Sequence, residues 1–509
     1  MGLWAKLRAS LDGGLTRVLP AYDGSGQGRR VRAFNATAAG PTTVLLSGGD
    51  VLRNRARHLM RSNPWAFNAL ETFVANAVGT GITPRPQFPD DAWRARVKQL
   101  WTDWTDEADA AGLTDFYGLQ SLAARAMFEA GECLIRFRDR RAEDGLTVPL
   151  QLQLLEAEHL PLWMNEPTNG GGIIRAGVEF DPIGRRVAYW LYRQHPGEFL
   201  QAPQGGNLPV RVPASEILHL FKPLRPGQVR GEPWLARVVL RLYDLDAYED
   251  AELVRKKGAA MYGGFIVLPD PEKADELVGT LHSEAEGLAD VDVQPGSWPV
   301  LGPGEDIRMN QGTDVGPNFA MFNEHVLRSI AAGTGLAYEM LTGDLSRVNY
   351  SSIRAGILEF RRRCEPLQHQ VLIPQLNRAV WQRWLDTAVL SGALPAAGYT
   401  KRRREYQRAV WVPQGWQWVD PAKEVGAAIE EIRAGLTTRD RIIAERTGED
   451  GEVIDVENAA INARTDARGL IYDSDPRKVQ KAPTGKSTAS EETQIASDTP
   501  PAAGTGTNG

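Results

Sequence analysis

A few short stretches of this sequence carry residue types that could do chemistry. Gly485-Lys486-Ser487 has the ending of a loop that cradles nucleotide phosphates with backbone amides and a lysine. That loop requires glycine five positions before Gly485, where Gln480 stands, and it requires a strand before and a helix after. Gly79-Thr80-Gly81 and Gly333-Thr334-Gly335 lack the third glycine and the preceding strand of a dinucleotide site, so they read as helix ends. Glu156, Glu158 and His159 offer three metal ligands in close succession. On a strand the two glutamates share a face and His159 points away, which reads as a surface strand end. Asp270, Glu272 and Lys273 approach a magnesium-nuclease pattern, but Glu and Lys are adjacent where one residue should separate them. The two cysteines, Cys133 and Cys364, exclude a disulfide framework and a cysteine-rich zinc site. With no nucleophile elbow and no paired acid and base, the sequence reads as a non-enzyme without cofactor or metal.

The elements around these stretches describe an α+β chain. Its 509 residues allow about two to four structural units. Apolar residues make up 42% and charged residues 24%, the balance of a globular protein. No run is long and apolar enough to span a membrane, the opening MGLWAKLRAS is a poor signal peptide, and Lys6 breaks a myristoylation motif. The reading is a cytoplasmic folding environment. Charge comes in blocks: residues 262–318 hold eleven acids against Lys273 and Arg308, while residues 353–411 hold eleven basic residues against four acids. Such alternation suggests separate surfaces for separate partners.

Helical periodicity starts near Val51, is interrupted at Asn63-Pro64, and resumes through Trp65, Ala69, Phe73 and Ala77. Further helices are expected over 92–108 and 116–130. Strands are expected at 133–137, 150–155, 173–180, 187–192, 210–213 and 216–221, with a hairpin turn at DPIGRR. Pro233 opens a long helix to about Met261, roughly 40 Å in length, with an apolar stripe of Leu235, Val238, Val239, Leu242 and Leu245. A second helix covers about 318–332. After TGDLSRVNYSS a third carries a heptad-like seam from Ile353 to Val371, with kinks expected at Pro366 and Pro374.

Several of these segments, in order, resemble the lambda-like portal proteins of tailed bacteriophages. They are Arg53-x-Arg-x-Arg57-x-Leu59-x-Arg61-Ser-Asn-Pro64, Glu129-Ala-Gly-Glu132, Gly177-Val-Glu-Phe-Asp181, His219-Leu-Phe, Arg225-Pro-Gly-Gln228 and Arg230-Gly-Glu-Pro233. The most specific is Gly335-Leu-Ala-Tyr-Glu-Met-Leu-Thr-Gly-Asp-Leu-Ser-Arg-Val-Asn-Tyr-Ser-Ser352, followed by Arg354-Ala-Gly356, Trp411 and Asp420-Pro-Ala-Lys-Glu424. The resemblance covers about residues 50–470. It implies a portal fold assembled as a ring, usually a dodecamer, at one capsid vertex of the virion. Double-stranded DNA is packaged and ejected through the channel, the large terminase docks first and head–tail connector proteins later, and the major capsid protein surrounds the ring.

By composition residues 1–50 read as a flexible basic arm; on that resemblance 51–232 are the wing, 233–261 the first stem helix, and 262–317 the clip. Residues 318–341 are the second stem helix, 342–352 the tunnel loop, 353–411 a kinked helix returning to the wing, and 412–470 the crown, while 471–509, rich in Pro, Gly, Ser and Thr, read by composition as a disordered tail. The stem stripe would then pack against neighbouring subunits. A conduit must not grip DNA, and twelve copies turn a net charge of −6 into −72. In the tunnel loop Arg347 can meet phosphate by charge, and Ser346, Asn349 or Tyr350 by hydrogen bonds, beside Asp344. Lys256 and Lys257 form either a weak electrostatic ring facing the channel or a solvated helix face. Asp290, Asp292, Glu305 and Asp306 are the expected docking acids of the clip. The rival reading is a terminase-like packaging enzyme, an ATPase or nuclease, which lacks its phosphate loop or carboxylate cluster here.

Overall fold

The computed structural model describes residues 38–198, 207–261, 266–267, 300–301, 317–346, 349–416 and 421–472. Two units separate, Met1–Gly448 and Glu449–Gly509.

In the first unit, α1 (Pro41–Leu46) starts on a proline, whose missing amide costs nothing in a first turn. The end of the stretch expected to be an arm is thus helical. The following α2 spans Gly49–Ser62 and α3 spans Pro64–Ala77. Asn63 separates them and caps α3 by accepting a hydrogen bond from the Ala66 amide at 3.0 Å. After β1 (Thr83–Pro86) come α4 (Asp91–Thr105) and α5 (Phe116–Ala130), N-capped by Asp90 and Asp115.

Two antiparallel sheets follow. The first is β2 (Glu132–Asp139) flanked by β3 (Leu150–Glu156) and, later in the chain, β9 (Ile217–Phe221). The second runs in chain order: β4 (Glu166–Pro167), β5 (Ile173–Arg175), β6 (Val178–Phe180), β7 (Arg186–Leu191) and β8 (Val210–Pro213). Residues 173–180 are therefore a hairpin, not the single strand expected. Ala176 (φ 51°) and Gly177 (φ 82°) both adopt the left-handed conformation of a two-residue turn. At the next hairpin Asp181 Oδ1 accepts from the amides of Ile183 and Arg185.

A short 3-10 turn at Trp234–Arg237 leads into α6 (Val239–Met261). The fragments β10 (Ile266–Val267) and β11 (Val300–Leu301) pair in parallel. Then come α7 (Pro317–Thr334), α8 (Tyr338–Thr342) and α9 (Tyr350–Leu367). Pro366 lies inside α9, and at Pro374 the chain runs through a π-helical stretch, Gln368–Asn377, into α10 (Arg378–Leu390). The wider i→i+5 spacing accommodates a residue that has no amide to donate. After α11 (Tyr399–Tyr406), β12 (Ala409–Val412) pairs with β1, Thr83 opposite Val412. The unit ends with α12 (Pro421–Arg433) and α13 (Arg439–Thr447). In the second unit the described element is α14 (Gly451–Ala467), capped by Asp450.

The first sheet divides the apolar interior of the first unit. Cys133, Ile135 and Phe137 face a large core shared by the helices, and Leu134 faces a smaller one with Leu160, Val178, Tyr189, Leu191 and Val212. Trp101, Trp104, Trp381 and Trp384 meet in the large core, with Trp101 edge-on to Trp384 at 4.9 Å and Trp381 stacked on Trp384 at 5.3 Å. In this way α4 is fixed to α10.

Candidate functional site: a helix pair, its loop and an ionic junction

The helices α6 and α7 pack on each other, and α6 also packs on α2. Leu235, Val238, Val239, Leu242 and Leu245 are all buried, Leu242 completely, within the large core of the subunit itself. This corrects the expectation that the stripe waits for neighbouring subunits. Gly333 shows how close the helices come: a Cβ there would lie 2.4 Å from Val238 Cγ1. Trp234 Nε1 donates to the Thr334 carbonyl at 2.8 Å, tying the two helix ends together. What the pair leaves uncovered is a different apolar set: Leu240 (66% exposed), Tyr243, Leu253, Val254, Met321 and Phe322 (49%).

Lys256 is not a free cation. Its Nζ lies 5.3 Å from the Phe319 ring centroid and 3.8 Å from Glu252 Oε1, whose carboxylate is buried and also held by Arg255. Lys257 is exposed. The acids Asp290, Asp292, Glu305 and Asp306 lie outside the described residues, as do Asp270, Glu272, Lys273, Arg347 and Gly485–Ser487.

The loop after α8 is shorter than 342–352. Gly343 (φ 71°) ends α8 in the left-handed conformation, and α9 already begins at Tyr350. Asp344 Oδ1 accepts from the Ser346 amide at 2.9 Å. Asn349 is the N-cap of α9. Its Oδ1 accepts from the Ser352 amide at 2.9 Å, and its own amide donates to Ser352 Oγ at 3.3 Å. Its side-chain oxygen is therefore committed to the helix, which leaves Nδ2 to meet an anion. Tyr350 sits in the first helical turn and not in a loop.

A second arrangement joins four of the segments that carry the resemblance. Glu132 opens β2 and is completely buried. Arg230 Nε donates to its two oxygens at 2.8 and 3.0 Å, Arg53 Nη2 to Oε1 at 3.1 Å, and the Gly231 amide to Oε2 at 2.8 Å. His219 Nε2 lies 2.9 Å from Oε2, and Arg186 Nη1 lies 3.0 Å from His219 Nδ1. Burial alone would raise the Glu132 pKa, but Arg230 and the His219 hydrogen bond together hold it well below the usual carboxylate range. Burial pushes the His219 pKa down to about 4, only partly opposed by Glu132. A neutral imidazole with its proton on Nε2 satisfies both contacts, since it donates to Glu132 and accepts from Arg186. Arg230 also donates from Nη1 to the Ala176 carbonyl at 2.7 Å and from Nη2 to the Ala157 carbonyl at 3.2 Å. The junction thus ties α2, both sheets and the approach to α6.

Arg53, Glu132, His219 and Arg230 each stand in a segment that carries the resemblance, and nothing local shows that they meet. The usable signal was a glutamate and an arginine set among small and apolar neighbours, Ala130-Gly131-Glu132-Cys133 and Val229-Arg230-Gly231, where solvated charges would be out of place. Beside the junction, Glu156 and Glu158 gather around His195 rather than around His159, closely enough for one metal ion. Arg57 already bridges them, with Nε and Nη2 on Glu158 at 3.0 and 2.9 Å and Nη1 on Glu156 at 2.9 Å. The group closes as an ion-pair network.

The described side chains build a packed scaffold with exposed apolar helix faces and buried ion pairs. Residues 27–368 match the family model described as phage portal protein, lambda family, and the chain belongs to that family. Portal proteins are structural components, not enzymes. Similar proteins are the probable portal protein of Halomonas phage phiHAP-1, 29% identical over 80% of this chain and 79% of that one, and the portal protein B of Escherichia phage lambda, 24% identical over 88% and 90%. The portal protein of Escherichia phage N15 is 25% identical over the same shares. Among solved structures, a chain from the neck of the native GTA particle computed with C12 symmetry is 15% identical over 82% of this chain and 97% of that chain, with a TM-score of 0.41. A chain from the virion of the native gene transfer agent particle has a TM-score of 0.36 at 14% identity, over 74% of this chain and 97% of that chain. Likenesses of that size add nothing to the assignment.

Proposed function

We propose that the chain assembles with copies of itself into a ring, a dodecamer, at the portal vertex of the virion, after synthesis in the host cytoplasm. Double-stranded DNA passes through the ring without sequence preference during packaging and ejection. The large terminase docks on it during packaging and head–tail connector proteins dock afterwards, with the major capsid protein around it. The observation that carries this reading is the family match over residues 27–368. The apolar faces of α6 and α7 support it, because among the described residues their side chains are half or more exposed and a neighbouring copy would cover them.

In this reading the loop 343–349 faces the duplex. Ser346 and Asn349 Nδ2 supply neutral hydrogen bonds and Arg347 a charge, while Asp344 repels phosphate and keeps each contact brief. The acids of 262–317 offer a docking surface to basic segments of terminase or connector, which salt should weaken.

Imaging the purified chain and assaying it for nucleotide hydrolysis tests the proposal. Rings with a central hole and no turnover are expected. A monomer that hydrolyses ATP would overturn it in favour of a packaging enzyme. On particles, Arg347→Glu should leave rings intact and reduce the length of packaged DNA; normal packaging would remove the loop from the account.

A further inference from the structure

The face of β2 that looks toward the second sheet is only partly covered. Leu134 lies in the smaller core, whereas Arg136 and Arg138, on the same face, reach a cleft of about 510 Å³ between the two sheets. Arg193 and Arg211 line it from the other side, and Glu216 is its single acid. Two of the four arginines are engaged. Arg211 holds Glu179 through Nε and Nη2 at 2.8 and 3.0 Å, and Arg136 Nη2 reaches Glu216 at 3.3 Å. Arg138 and Arg193 have no carboxylate partner among the described residues. Arg136 Nε is buried with no acceptor. Burial, together with neighbouring Arg136 and Arg140, lowers the Arg138 pKa despite the opposing charge of Glu216, so the cations here outweigh the one acid.

The shape of the wall narrows the choice of ligand. Four consecutive residues of β8, Val210 to Pro213, line the cleft. Successive side chains of a strand point to opposite faces, so a strand lines a cavity with consecutive residues only through its edge. That edge is free: among the described residues β8 is paired with β7 alone. An unpaired edge is a template for another strand. Leu155, Leu191 and Val212 supply apolar wall between the arginines. A duplex cannot enter a cleft of this volume, and the apolar wall suits aliphatic side chains better than a sugar–phosphate chain.

We propose that this cleft binds an extended acidic peptide segment of a partner protein, added along the free edge of β8 as a sixth strand. Its carboxylates pair with Arg138 and Arg193, and the Arg136 Nε–H gains an acceptor. Its intervening aliphatic side chains rest on Leu155, Leu191 and Val212. Main-chain pairing supplies affinity and the arginines choose the sequence. Pro213 has no amide to donate, so pairing ends at Val212. The proposal does not depend on the ring reading.

The test uses the full chain in its purified assembly and a fluorescein-labelled nonapeptide of alternating Glu and Val, followed by anisotropy. The peptide should bind, more weakly at higher salt, and slow amide exchange at Val210–Val212. The combined change Arg138→Gln and Arg193→Gln should weaken it at least tenfold with an unchanged melting temperature. A version of the peptide N-methylated at alternate residues keeps the charge, loses the pairing, and should also bind at least tenfold more weakly. Three results would overturn the proposal: no binding at low salt, equal binding to the double variant, or tighter binding of a single-stranded oligonucleotide than of the peptide.

Discussion

The junction around Glu132 and the pair formed by α6 and α7 solve opposite problems. At the junction, charge lies inside the protein, where two arginines, a histidine and a backbone amide converge on one carboxylate. Along the helix pair, apolar side chains lie outside, with Leu240 mostly exposed and Phe322 half exposed, while Leu242, two positions from Leu240, is sealed. The difference shows where the subunit is finished and where it is not. A buried ion pair is costly unless fully satisfied, so it marks a boundary fixed within one chain. An exposed aliphatic face costs little on one subunit but gains by meeting another.

The largest expected effect comes from breaking the finished region. Glu132→Gln leaves Arg53 and Arg230 buried without their anion and should cost about 3–5 kcal/mol in urea unfolding. The partly exposed pair of Arg354 and Glu424, at 3.4 Å, is the control, and Glu424→Gln there should cost less than about 1 kcal/mol. Equal losses at the two sites would dissolve the contrast.

Leu242→Ala should cost about 2–5 kcal/mol of subunit stability, because it opens a cavity in a core complete within one chain. A variant that keeps its melting temperature and loses only assembly would return Leu242 to an intersubunit role.

The pH response is next. The His219 pKa is depressed in the folded state, so the unfolded chain takes up the proton first as pH falls. The stability it provides is fully present above its ordinary value near 6.5 and is lost as pH drops to about 4. Glu132, also depressed, adds a loss below its ordinary value near 4.5. Between pH 7 and pH 4.5 the His219 share is at most about 3 kcal/mol. His219→Gln can still donate to Glu132 but does not titrate, so the difference in urea midpoint between the two pH values should shrink. An unchanged difference would show that His219 titrates normally.

The smallest stability effect belongs to the loop. Asn349→Ala removes the cap of α9 and should cost about 1 kcal/mol. Ser346→Ala, at an exposed position, should change stability by less than about 0.5 kcal/mol. A larger loss at Ser346 would mean that its side chain is structural.

Local signals made much of this fold legible. The apolar spacing of α3 through Trp65, Ala69 and Phe73 and the alternation of β2 both stand in the sequence, because one buried face imposes a fixed period. The turn at Ala176-Gly177 did not, because alanine at φ 51° is an uncommon choice for a left-handed position. The pairing of β1 with β12 joins residues 83 and 412, and no local pattern encodes such a partner. The stripe of α6 was recognised as apolar, but a period says only that a face is covered and not by which chain. The junction was missed for the same reason: Glu132 and Arg230 lie 98 residues apart.

The central claim, that exposed apolar faces of α6 and α7 are completed by neighbouring copies, is tested most directly by native mass spectrometry of a chain carrying both Leu240→Glu and Phe322→Glu. The account predicts a ring for the unmodified chain. For the double variant it predicts a folded monomer whose melting temperature lies close to that of a disassembled unmodified subunit. Rings of normal mass from the double variant would contradict it.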